Sequence, residues 1–152
     1  MKRFNYQEGT VFLVPLKSGG YGTGVVARMA PKGRIIFAYL FGPRLGSAPA
    51  VDRLSKLRPS DAVRCLRVGD LGLINGDWQV LGQLPHWDAS QWPMPQFVHY
   101  DALSKRSWRV VYRNSDPSIL ERREPFDANE LLERDALYGY EALELLLTKV
   151  LG

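Results

Sequence analysis

Apolar positions along this chain recur at two periods. From Thr10 to Phe41, and again from Phe97 to Arg113, they stand in short β-branched and aromatic runs, the pattern of strands. From Tyr140 onward they fall at helical spacing. Thr10 to Leu16 (Thr-Val-Phe-Leu-Val-Pro-Leu) reads as a first strand ended by Lys17-Ser18-Gly19-Gly20. Pro15 has no N–H for a ladder, so this strand is expected at an edge or with its last residues unpaired. Tyr21 to Met29 follows as a second strand, in which Gly22 and Gly24 mark a bend, a bulge or a close backbone approach. Pro31-Lys32-Gly33 turns the chain into Arg34 to Phe41, which is nearly all apolar. That run predicts a central strand covered on both faces or bent around a core.

Gly42 to Ala50 has the composition of a loop, and Val51 to Leu57 that of a short helix or irregular turn. Ala62 to Val68 alternates as a strand, with Val63, Cys65 and Val68 facing in and Arg64 and Arg67 near the surface. Asn75-Gly76 is the strongest turn signal, because that pair suits a type I′ turn in which both central residues need positive φ. A hairpin over Asp70 to Gly82 would set Leu73 against Trp78 and Leu71 against Val80 on one apolar face. Trp78 is accordingly expected in the core and not as an exposed binding aromatic. Its burial contributes several kcal/mol at roughly 25 cal/mol per Å².

Gln83 to Gln96 is too rich in proline for regular structure, yet it carries Trp87 and Trp92. Phe97 to Asp101 and Ser107 to Arg113 form a further hairpin with Trp108, Val110 and Tyr112 inward, and Ser118 to Arg123 adds an edge strand ended by Pro125. Leu143, Leu146, Leu147, Val150 and Leu151 line one side of a C-terminal helix, with Glu141 and Glu144 early and Lys149 late, as the helix dipole favours. The fold class that follows is α+β and mainly antiparallel β. It is a strongly bent sheet or partial barrel of about seven to nine strands, with a C-terminal amphipathic helix covering one face. At 152 residues the whole chain, 1–152, is expected to be one domain.

Charge sharpens this outline. The formal net charge is +4, but residues 1–76 hold 12 Lys and Arg against 4 Asp and Glu, whereas residues 77–152 hold 8 against 12. Either the halves pair across the fold, or a basic surface faces an acidic partner or a polyanion. Cys65 is the single cysteine, so an intrachain disulfide and a cysteine-rich zinc site are excluded. No apolar run reaches membrane length, and a soluble cytoplasmic protein is expected.

Catalytic candidates are few. His86 and His99 are the only histidines, and their spacing with Asp88 or Asp101 matches no metal-ligand signature. The glycines from Gly19 to Gly24 precede a strand and not a helix, so they cradle no phosphate at a helix N-terminus. No enzyme activity, metal, cofactor or small-molecule substrate is expected. Two binding readings remain. The lesser one is a small basic β-sheet domain for nucleic acid, in which Arg28, Lys32, Arg34, Arg44, Arg53, Lys56 and Arg58 accompany Tyr21 and Tyr39. The other is a protein-binding module built on Pro85-His86-Trp87-Asp88 and Trp92-Pro93-Met94-Pro95, where prolines hold large apolar groups in a fixed loop. Each tryptophan either plugs the end of the sheet or anchors a partner. The candidate partner-binding residues are His86, Trp87, Asp88, Trp92 and Met94, with Tyr21 and Arg44.

Several of these stretches carry a family likeness. Gly9-Thr10-Val11-Phe12-Leu13-Val14-Pro15-Leu16, the run from Gly19 to Arg28, and Phe41-Gly42-Pro43 resemble the opening of the immunity protein 26 family of bacterial polymorphic-toxin systems. Gly69 to Leu73, Trp78 to Gly82, Trp87 and Trp92-Pro93-Met94-Pro95 resemble its middle, and Leu137-Tyr138-Gly139-Tyr140 its end. Thr10 departs from the pattern, which has an acidic residue after the glycine. The resemblance implies a cytoplasmic protein without catalytic activity that binds and blocks a cognate toxin, and it transfers no binding residues. A basic chain does not suit mimicry of nucleic acid, so the toxin is expected to present an acidic surface or to be gripped by apolar contacts.

Overall fold

The computed structural model describes residues 4–49, 56–126 and 132–152. Its strands form two sheets. The first holds β1 (Thr10–Pro15), β2 (Tyr21–Met29), β3 (Ile35–Leu45), β4 (Arg64–Gly69), β5 (Val80–Gln83) and β10 (Leu137–Tyr138), in the order β10-β4-β3-β2-β1-β5. The second holds β6 (Phe97–Asp101), β7 (Arg106–Arg113), β8 (Asp116–Phe126) and β9 (Glu133–Arg134), in the order β8-β7-β6-β9. Pairing is antiparallel except for the two short strands: β10 runs parallel to β4 and β9 parallel to β6. One turn of helix, α1 (Leu71–Ile74), follows β4, and α2 (Tyr140–Leu151) closes the chain. The expected class holds: mainly antiparallel β with a C-terminal helix, here as two sheets with ten described strands.

The period of two within β3 explains why that run is apolar throughout. Ile36, Ala38 and Leu40 face a core shared with Phe12, Val14, Val26, Leu66, Val68 and the helix residues Leu143 and Leu147. Phe37, Tyr39 and Phe41 face the opposite way, into a second core with Val11, Val25, Trp92, Phe97 and Val110. The first sheet is therefore sandwiched between α2 and the second sheet, and its central strand is buried on both faces from Ile36 to Phe41. Glycine makes the close packing possible. A Cβ on Gly24 would come within 2.3 Å of the Phe12 ring, and the β2–β3 register shifts between Tyr21 and Thr23, around Gly22. Pro15 ends β1, whose pairing with β5 covers only Thr10 to Phe12, so β1 is an inner strand with its last residues unpaired on one side.

Four local expectations are corrected. The segment after β4 is not a hairpin: Leu71 to Ile74 coil into α1, and of Asn75 and Gly76 only the glycine has positive φ, +84° against −86° for Asn75. The physical reason is tertiary. Asp70 is buried and its Oδ2 accepts from Tyr6 O–H at 2.7 Å and from the Arg34 N–H at 2.9 Å, which anchors the start of the turn. Trp78 then folds back over Gly72, where a Cβ would meet its ring at 2.5 Å, and stacks on Phe12 at 5.5 Å. Trp78 and Leu73 do share the core, while Leu71 is 53 % exposed. Second, β3 runs on through Gly42-Pro43 to Leu45, because Leu45 pairs with Tyr21. Third, Arg67 is buried, since β4 turns it toward the second sheet, and Val63 lies outside the strand and exposed. Fourth, Pro125 does not end β8 but pairs with Trp108 inside it. The short helix or turn expected over 51–57 falls largely outside the described residues.

Ion pairs, one of them largely buried, tie the layers together. Arg67 donates to the Pro117 carbonyl at 2.9 Å and to the Tyr112 hydroxyl at 2.9 Å, lies over the Tyr112 ring, and sits 3.6 Å from Asp135. Glu144 of α2 accepts from the Trp78 indole N–H at 3.0 Å and pairs with Lys17 at 3.1 Å. Glu133 pairs with Arg64 at 3.3 Å. Each of these three ion pairs joins a cation of residues 1–76 to an acid of residues 77–152, so the charge asymmetry is partly cancelled across the fold.

Candidate partner-binding site

The proline-rich loop between β5 and β6 is built on an inner layer of aromatic rings. Leu84 N–H donates to the Gly9 carbonyl at 2.9 Å, which fixes the loop's start beside β1. His86 adopts φ +54°, a left-handed turn that reverses the chain. Trp87 is half-buried against Gly9, where a Cβ would stand 3.0 Å from its ring. Its indole N–H is buried without an acceptor among the described residues. Asp88 caps a single turn over Ala89–Gln91, accepting from the Ser90 N–H at 3.0 Å and the Ser90 O–H at 2.7 Å, and these bonds hold its carboxyl below the usual carboxylate range. Trp92 is only 5 % exposed, edge-on to Tyr39 at 5.1 Å and Phe41 at 6.1 Å and tilted against Trp87 at 5.5 Å. The Tyr39 hydroxyl donates to the Pro93 carbonyl, and Met94 packs half-buried on the same cluster.

A buried arginine holds the loop from below. Arg28 donates to the Ala89 carbonyl at 3.2 Å and to Asn114 at 3.0–3.1 Å, linking the loop to the β7–β8 turn. The β2–β3 register shifts between Val26 and Arg28, and this bulge turns Arg28 toward the second sheet alongside Ala27. Simple alternation counts Arg28 among the surface cations; only a recognisable bulge signal would have revealed it, and Ala27-Arg28 carries none. Thr10, the departure from the family pattern, lies beneath the loop, accepting from Gln7 N–H and donating to Gln83 at 3.2 Å.

The structure thus places His86, Trp87, Asp88, Trp92 and Met94 on one loop packed over the second core. Pro85, His86, Asp88 and Pro93 face water, Trp87 and Met94 are half-buried, and Trp92 serves as the floor. Tyr21 and Arg44 lie together at the β1–β2 turn instead: Tyr21 pairs with Pro15 and Leu45, and exposed Arg44 reaches the Ser18 carbonyl at 3.5 Å. His99 is exposed on β6 opposite Trp108, on a different element from His86. Burial, with the Glu133 carboxylate nearby, pushes the Cys65 thiol up to about 12, so it stays protonated and a poor nucleophile at neutral pH.

Comparison with known proteins gives one family. The model described as Immunity protein 26 matches residues 7–109, more than half of the chain and the whole of the tryptophan loop. Nothing among curated proteins or solved structures matches.

Proposed function

We propose, from the premise that this chain belongs to the immunity protein 26 family, that it binds a cognate toxin in the cytoplasm of the producing cell and blocks it by covering it, with no chemistry of its own. The family match over residues 7–109 carries this reading. The shape of the loop supports it: exposed polar groups and half-buried Trp87 and Met94 stand on a base pinned by Arg28, Tyr39 and Trp92, so little conformational entropy is lost on docking. No described helix is long and apolar enough to cross a membrane. The chain is read as acting as one unit over residues 1–152.

Co-expression with any toxin domain encoded in the same gene neighbourhood tests the proposal. Growth should be restored and a stable complex should elute together in gel filtration. Toxicity undiminished by the chain, or protection without any complex, would sink it.

A further inference from the structure

The first sheet is covered on both faces, but the second has one face on the core, and on its other face exposed side chains stand among the described residues. The register identifies the outward set. Val98 stands between Arg109 of β7 and Arg134 of β9, and Val111 stands opposite Arg122 of β8. Their neighbours of opposite parity, Phe97 and Val110, are buried in the core. Tyr100 on the same outward face is 60 % exposed, and Arg122 and Arg134 are exposed. The face also bears Glu124, which is engaged by Arg109 at 3.4 Å. Arg122 and Arg134 make no ion pair among the described residues.

This basic face lies in the acid-rich half of the chain, and the fold explains the inversion. Glu133, Asp135 and Glu144 pair with Arg64, Arg67 and Lys17 of the other half, and Arg122 of β8 and Arg134 of β9 are left facing water. The cations are arginines, whose planar fork pairs two-pronged with carboxylates. Around the Val98–Val111 stripe they make an apolar centre with a charged rim, and tyrosine and arginine are the side chains that carry most interface energy.

We infer that the outward face of the second sheet docks an acidic surface of the toxin. The inference rests on the toxin-binding reading above and adds to the loop a second contact that steers the encounter. A protein carboxylate cluster suits this face better than a nucleic acid, because Tyr100 offers a single well-exposed ring where a strand of bases needs several to stack on, and Val98 and Val111 beside the arginines suit apolar side chains of a protein.

The test uses the full chain and the purified toxin domain, with binding followed in real time at several salt concentrations. In the double variant Arg122→Glu/Arg134→Glu the association rate should fall about tenfold or more and its salt dependence should flatten, with dissociation little changed. Tyr100→Ala should speed dissociation several-fold. These positions are exposed, so thermal melting should match the unaltered chain. An unchanged association rate in the double variant overturns the inference while leaving the toxin-binding reading intact, since the unaltered chain still binds. If the unaltered chain binds no toxin, both fall. A thymidine oligonucleotide bound by the unaltered chain, with steep salt dependence lost in the double variant, would assign the face to nucleic acid and overturn it too.

Discussion

Two tryptophans show how differently one residue type can be used. Trp78 is a joint: its ring stacks on Phe12 while its N–H satisfies the buried Glu144 carboxylate, whose other oxygen meets Lys17. Trp78→Phe keeps most of the ring area but removes that donor, so denaturant titration should show a loss of about 1–3 kcal/mol. Trp92 is a floor under the loop. Trp92→Ala is expected to cost about 3–5 kcal/mol, leaving Tyr39 and Phe41 facing a cavity. A drop in toxin affinity in that variant would report loop collapse and not a lost contact, which makes His86 and Asp88 the better probes of the epitope. His86→Ala and Asp88→Ala should melt within a few degrees of the unaltered protein, and weakened toxin binding in either would place the loop in the interface.

Among the elements, α2 is the clearest case of packing deciding the effect of a residue. Leu147 is fully buried and Leu145 is 58 % exposed, although both are leucines two positions apart on one helix. Leu147→Ala should cost about 2–5 kcal/mol in equilibrium unfolding, whereas Leu145→Ala should stay within about 0.5 kcal/mol. Equal losses would mean that α2 does not seat on the first sheet through this face. In the second sheet, β8 lies at the edge, and its Arg123 stacks over Trp108 at 4.4 Å, covering a ring that would otherwise lie bare beside a free edge.

For the whole molecule, alkaline pH exposes the cost of the polar groups inside it. Burial raises the Cys65 thiol from 9.0 to about 12 and the Tyr39 and Tyr112 hydroxyls from 10.0 to about 12. Well below pH 9 these groups hold their protons whether folded or not and contribute no pH dependence. As pH rises from about 9 toward 12, the unfolded chain releases protons that the folded chain retains, so stability must fall. Chemical denaturation at a series of pH values should show a midpoint that declines across this window. Cys65→Ser should remove the part of the decline that starts nearest pH 9, and a flat profile would contradict the buried thiol. The same interior pairing leaves a basic outer face, so folding and the proposed steering of a partner draw on a single distribution of charge.

The longer antiparallel strands, the central place of β3, the hairpin of β6 and β7 and the C-terminal helix were legible in the residues themselves, because hydrophobic period and turn chemistry are local properties that act over a few positions, whereas the two-residue parallel strands β9 and β10 carried no such signal. So was the irregular, tryptophan-bearing loop between β5 and β6, since its prolines are conspicuous. What only tertiary structure decided was which way the polar groups turn. Asn75-Gly76 lost its hairpin to the demands of Trp78 and Asp70, and Arg28 and Arg67 went inward because a bulge and a second sheet gave them carbonyls to bind. Trp92 became floor while His86 and Asp88 became surface. The reason is physical: an apolar side chain is buried wherever a core exists, but a buried cation or carboxylate needs partners at hydrogen-bond distance, and those partners here come from stretches remote in the chain.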